Sequence, residues 1–155
     1  MALWQAMAKA FNKDTTLHDL TATQCEAVID ALTLILYADG KASFLETTEL
    51  EHLLHEMPWT HNNAAVDAYT EASAERVAAL SGADAIDAFS ASIAARLPAE
   101  ADVREKAYEL AARLAHADWQ VRAGERTMLD SLSRNLGIAA DRAAQIDKKV
   151  ADETI

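Results

Sequence analysis

Alanine fills 35 of the 155 positions, while glycine has 4 and proline 2, and that bias leaves the chain little choice but helix. Alanine has the best intrinsic helix propensity and is depleted in strands, and glycine and proline are the residues that interrupt helices. Alanine also covers little apolar area, so such helices must approach closely. The core must then come from sparser Leu, Ile, Val, Met and aromatic residues. A chain of 155 residues suits a single domain, 1–155, with one core.

The periodicity divides the chain into seven to eight helices. The first is expected at about residues 2–12, followed by a polar link from Lys13 to Thr21. The second starts at Thr23, which with Glu26 spells a T-x-x-E capping box, and carries Val28, Ile29, Leu32, Ile35 and Leu36. It stops at the turn Ala38-Asp39-Gly40. The third begins at Ser43, with Glu46 completing another capping box, and ends at Pro58. Two alanine-rich helices follow at about 62–80 and 84–96, with thin stripes: Val66, Tyr69, Val77 and Leu80, then Ile86, Phe89, Ile93 and Leu97. The sixth covers about 100–117, with Val103, Ala107, Leu110 and Leu114 inward. The seventh carries Met128, Leu129, Leu132 and Leu136 and ends at Gly137, and the last covers about 139–152. No stretch alternates as a strand would.

The net charge of −11 bears on partners. Nucleic-acid affinity comes from neutralising phosphates, and Lys148-Lys149 is the only adjacent basic pair, so a nucleic-acid partner is excluded. Anionic substrates and lipids are disfavoured as bulk partners; cations and basic protein surfaces are favoured. A lone cysteine, Cys25, rules out an internal disulfide, no apolar run is long enough for a membrane span, and Met1 to Lys13 lacks a secretory pattern. Cytoplasm is the expected compartment. Leu3, Trp4, Met7 and Phe11 fall at helical spacing, so the leading helix either docks on the core or makes a peripheral membrane or partner contact. The oligomeric state is left open.

An internal repeat carries the functional signal. Segments 38–57 and 117–136 align without a gap at an offset of 79. Ala38/Ala117, Asp39/Asp118, Glu46/Glu125, Thr48/Thr127, Leu50/Leu129 and Leu53/Leu132 are identical, and upstream Glu26 lies opposite Glu105. Each half, about 23–80 and 102–153, is then helix, loop, helix, with an Asp at the loop entrance and a Glu seven residues later. Two readings stand. As structure, Asp39-Gly40 is a turn and Glu46 a capping-box residue worth about 1 kcal/mol. The second half weakens that account, because Trp119 replaces Gly40 and Arg122 replaces Ser43 while Asp118 and Glu125 remain. As a site, four carboxylates brought together about a pseudo-twofold would repel one another unless they held a cation or basic side chains. Hard oxygen donors suit Ca²⁺ or Mg²⁺.

The pattern A-D-G-x-x-x-x-x-E, repeated as A-D-x-x-x-x-x-x-E, resembles the TerB-like family of tellurite-resistance-associated proteins over about Thr23 to Val150. The resemblance implies an all-α bundle of about seven helices, with Asp39, Glu46, Asp118 and Glu125 clustering near the pseudo-twofold in a metal-binding role. It also implies a non-enzymatic, stress-associated function with a protein partner. Direct tellurite binding is disfavoured, since an acidic cluster repels an oxyanion. The competing reading is an interaction scaffold whose acidic motifs are only caps and turns.

Other chemistry is weaker. Glu49 and His52 match one E-x-x-H, but a di-iron bundle needs two such motifs and two more Glu. His52 and His55 share a helix face that reads as solvated, with His61 or His116 the only added ligands in prospect. Cys25 falls in a first helical turn where the dipole would acidify it, opposed by Glu26. Trp59, after Pro58, reads as a packed loop residue. No Ser or Cys has an assignable base partner.

Overall fold

Helix α1 (Ala22–Tyr37) forms the centre of the molecule. Around it the chain forms α2 (Asn63–Ala78), α3 (Ala83–Arg96), α4 (Ala101–Ala115), α5 (Ala123–Asn135) and α6 (Ala140–Thr154). The computed structural model describes residues 21–37, 50, 54–55, 63–115 and 123–154; Leu50, Leu54 and His55 are also helical, and all regular structure among the described residues is helix. The fold is therefore all-α. No described helix is long and apolar enough to cross a membrane.

The start of α1 corrects the expected cap. The box is closed by Thr21 and Gln24, not Thr23 and Glu26: Gln24 N donates to Thr21 Oγ1 (3.2 Å), and Thr21 N donates to Gln24 Oε1 (2.9 Å). Thr21-Ala-Thr-Gln-Cys-Glu26 contains two overlapping boxes. Choosing the earlier one adds residues to the helix ladder and leaves Thr23 exposed on its surface.

From Ala27 to Ile35 every residue of α1 is buried, because α2, α3, α4 and α5 all pack against it. A helix enclosed on all sides needs no polar face. Its side chains Ile29, Leu32, Leu34 and Ile35 meet Leu50, Ile93, Leu110, Leu129 and Leu132 in one core, each contributing on the order of 1.5–3 kcal/mol by burial. In α2 the inward stripe is Val66, Thr70, Ser73 and Val77, while Tyr69 and Leu80 are only partly buried. The small hydroxyl residues permit the close approach that an alanine-rich helix requires, and Thr70 satisfies its hydroxyl on the Val66 carbonyl (2.7 Å).

The helix ends follow local rules. Leu97 is extended (φ −85°, ψ 152°), as a residue before proline must be, and α3 stops there. Gly137 (φ +74°) ends α5 in a Schellman motif: Gly137 N donates to Arg134 O (3.1 Å) and Ile138 N to Ser133 O (3.0 Å). Arg104 on α4 then binds three carbonyls at two helix ends, Ala94 O (2.8 Å) and Pro98 O (2.9 Å) at the end of α3, and Leu136 O (3.2 Å) at the end of α5. A fixed guanidinium there satisfies orphan acceptors and opposes the negative ends of two dipoles.

Candidate functional site

The repeated acidic motif falls largely outside the described residues. Asp39, Glu46 and Asp118 lie outside them, as do His52, Trp59, His61 and His116. Glu125 is the third residue of α5. The flanking helices are in place: α1 ends at Tyr37, just before Asp39, and α4 ends at Ala115, just before Asp118. Among the described residues, no group of three or more His, Cys, Asp or Glu could hold a metal ion.

Two side chains weighed in the sequence lie among the described residues. His55 is partly buried, with Nε2 2.7 Å from Asp67 Oδ1 on α2. The interhelical carboxylate draws the ring against its neighbour. Cys25 is not acidified; burial, with Glu26 adding to it, pushes the thiol up to about 12. Desolvation outweighs the helix dipole because Cys25 faces the core.

The structure adds two buried carboxylates that the sequence reading passed over. Asp30, in the middle of α1, is 1 % exposed. It accepts from Tyr69 Oη (2.8 Å), Ser73 Oγ (2.6 Å) and Arg76 Nη2 (3.1 Å) on α2, and from Arg96 Nη2 (2.6 Å) on α3. The Thr33 hydroxyl lies against that of Ser73. Both guanidinia also reach the Tyr69 oxygen, Arg76 at 3.0 Å and Arg96 at 3.1 Å, and Arg76 stacks 5.1 Å from the Tyr69 ring centre. Burial and the adjacent Asp30 carboxylate hold the Tyr69 phenol above its ordinary value, so it remains a proton donor. Four donors satisfy the Asp30 carboxylate, which a buried charge requires.

Glu109 is the counterpart on α4, 7 % exposed. It meets Lys106 (3.3 Å) and Arg113 (3.3 Å) on its own helix and Lys149 (3.3 Å) on α6. Burial raises its carboxyl, but these three cations outweigh burial and hold it below the usual range. Beside it, Tyr108 donates to both oxygens of Asp147 on α6 (2.9 and 3.0 Å), and Arg126 on α5 reaches the same carboxylate (2.9 Å). Burial and the neighbouring Asp147 raise the Tyr108 phenol strongly.

A cleft of about 220 Å³ between α4 and α6 is lined by Asp102, Glu105, Lys106, Glu109, Arg142 and Lys149, and is thus charged with both signs. A second, of about 270 Å³ between α3 and α5, is bordered by Ile86, Asp87, Thr127, Asp130, Ser131 and Arg134. There Ser131, with help from Arg134, holds the Asp87 carboxyl below its ordinary value. Most of the described basic residues, scattered in the sequence, are therefore gathered around acids in space. No family model matches the chain, and neither a curated protein nor a solved structure matches it.

Proposed function

We propose that this is a non-enzymatic, TerB-like binding domain that holds a divalent cation, Ca²⁺ or Mg²⁺, or a basic partner surface, through Asp39, Glu46, Asp118 and Glu125. One observation carries the reading: the offset of 79 extends beyond the acidic motif into the buried architecture. Shifting Ala22–Tyr37 by that offset starts it on the first residue of Ala101–Ala115. Asp30 then falls on Glu109, Leu50 on Leu129, and Leu54 on Ser133, and all six are buried. Packing agrees, since α1 lies against α2 as α4 lies against α6, and α1 and α4 lie against each other. Such correspondence supports two related halves about a pseudo-twofold. With the expected helices at about 2–12 and through 50–55, the bundle would have eight helices. In each half the loop-entrance Asp follows the buried acid by nine residues, so both loops leave an anchored helix.

Melting temperature with and without millimolar Ca²⁺ or Mg²⁺, in salt-matched buffer, tests the site. A cation bound only by the native state stabilises by about 2.7 kcal/mol at a hundredfold excess over Kd. Glu46→Gln and Glu125→Gln should abolish that gain while leaving the cation-free protein as stable or more so, because like charges are relieved. A wild type indifferent to both cations sinks the metal. The scaffold reading is favoured by one observation, the position of Glu125 in the first turn of α5, where the helix dipole alone stabilises a carboxylate. Under it, Glu125→Gln costs about 0.3–1 kcal/mol with or without cations.

A further inference from the structure

Most of the described arginines are paired with acids. Arg126 faces Asp147 and Asp130, Arg134 faces Asp87, and Arg142 faces Glu105. Arg104 is committed to three carbonyls. Around Glu109 the cations share their cleft with Asp102 and Glu105, and Lys106 and Arg113 hold further contacts. The Asp30 network differs: two guanidinia share one carboxylate and one phenol.

Local sequence does not restore the balance. The residues three and four positions from Arg76 are Ala72 and Ser73 on α2 and Ala79 and Leu80 just past its end, and those around Arg96 are Ser92, Ile93, Ala99 and Glu100. Only Glu100 is acidic, and it lies beyond Pro98, after α3 has ended. Glu75, next to Arg76, leaves the helix in a different direction. Arg96, 24 % exposed, makes the shorter bond to Asp30 and directs Nε to the Ser92 carbonyl (3.1 Å). Arg76 is half exposed, and its bonds to Asp30 and Tyr69 both run through Nη2, which leaves Nε and Nη1 as donors for a further group. Ala72 and Ala79 flank it, both exposed and too short to obstruct an approaching group.

We propose that Arg76 and Arg96, held from below by Asp30 and Tyr69, form a receptor for a single oxyanion group, a carboxylate or a phosphate. The Nη2 shared by both forks of Arg76 is committed to Asp30 and Tyr69, so each guanidinium offers single charge-assisted donors to such a group, Arg76 from Nη1 or Nε and Arg96 from the second hydrogen of an Nη. The buried carboxylate and phenol fix both guanidinia in advance, so little side-chain freedom is lost on binding. A surplus positive charge persists there in a chain whose overall charge is −11. That overall charge weakens binding of a free ion, which places the expected affinity in the millimolar range or weaker for an isolated group.

The test uses the ¹⁵N-labelled full chain and follows the arginine Nε–Hε resonances while inorganic phosphate, or separately acetate, replaces chloride at constant ionic strength. The expected result is a saturable shift at Arg76 and Arg96, tighter for whichever oxyanion class the site takes. It should be lost in Arg76→Gln and retained in Arg134→Gln. Arg76→Lys, which keeps the charge without the planar guanidinium that Asp30 and Tyr69 fix, should weaken it and serves if Arg76→Gln fails to fold. Shifts that stay linear with both ions, that are as large at Arg134 and Arg142, or that survive Arg76→Gln overturn the proposal.

Discussion

Replacing Asp30 by Asn removes one charge from a nearly isosteric side chain and probes the most connected polar group in the described structure. The Asp30 side chain is 2 % exposed, while those of Arg96 and Arg76 are 24 % and 50 % exposed. Removing one partner of a buried ion pair costs about 3–5 kcal/mol, because the other charge is left uncompensated. Arg76 is half in water and can turn outward, so its share is screened to about 0–1 kcal/mol. Arg96 cannot leave as easily, and the Asn amide would also present donors to donors. The net expectation is a loss of about 3 kcal/mol, which for a domain of this size is a fall of roughly 6–12 °C in melting temperature. Urea unfolding at neutral pH measures it, provided that the slope is unchanged. Tyr69→Phe should cost about 1 kcal/mol, since the phenol is only partly buried. The double variant should lose less than the sum, because both changes dismantle one network. An Asp30→Asn protein within about 0.5 kcal/mol of wild type, the usual range for changes on an indifferent surface, would refute the reasoning.

Thr21→Ala should cost about 1 kcal/mol in the same assay and Thr23→Ala almost nothing; the reverse order would return the cap to Thr23. A Cβ on Gly82 or Gly137 meets nothing within 4 Å, so alanine there tests the backbone alone. Gly82→Ala (φ +86°, ψ 162°) should cost more than Gly137→Ala (φ +74°), since the first conformation is essentially confined to glycine, with costs of about 1–3 kcal/mol. Cys25, buried with its thiol at about 12, should resist iodoacetamide in native buffer and react on unfolding; rapid native alkylation would contradict its burial. Glu109 has a lowered folded-state pKa, so its contribution is present above the ordinary carboxyl value of 4.5 and disappears as pH falls through the folded value. The stability gap between wild type and Glu109→Gln should thus be constant from neutral pH to about 5 and close under acid, whereas a gap that widened under acid would mean the opposite shift.

Helix identity was legible from alanine content and apolar period, and the stops at Pro98 and Gly137 follow from residue chemistry that acts locally. The start of α1 was ambiguous because two capping boxes overlap, and local spacing does not say which of them the longer helix ladder will use. The buried acids were harder to see. A charged residue amid Val28, Ile29, Ala31 and Leu32 was a signal in itself, as was its alignment with Glu109 at the repeat offset. Their partners were not legible, because Arg76 and Arg96 come from helices whose alanine content erases any strong apolar face. A pairing across 46 or 66 positions leaves no mark in local spacing. The four-carboxylate motif depends likewise on how two loops meet, which sequence offset alone does not fix.

The inward stripe of α2 has a consequence for how the molecule opens. Two valines, a threonine and a serine bury little apolar area against α1, and much of the attachment is polar, through Asp30 and the His55–Asp67 contact. Separating α2 would expose its own thin apolar stripe and the face of α1 that it covers, while the packing of α1 on α3, α4 and α5 stays, so amide exchange in α2 should proceed by a sub-global fluctuation with a urea dependence shallower than that of global unfolding. Amides of α1 between Ala27 and Ile35, enclosed by four neighbours, should exchange only with global unfolding. The protein would then carry a segment that opens ahead of the centre, and raising salt, which screens only the exposed Arg76 end of the network, should ease that opening slightly.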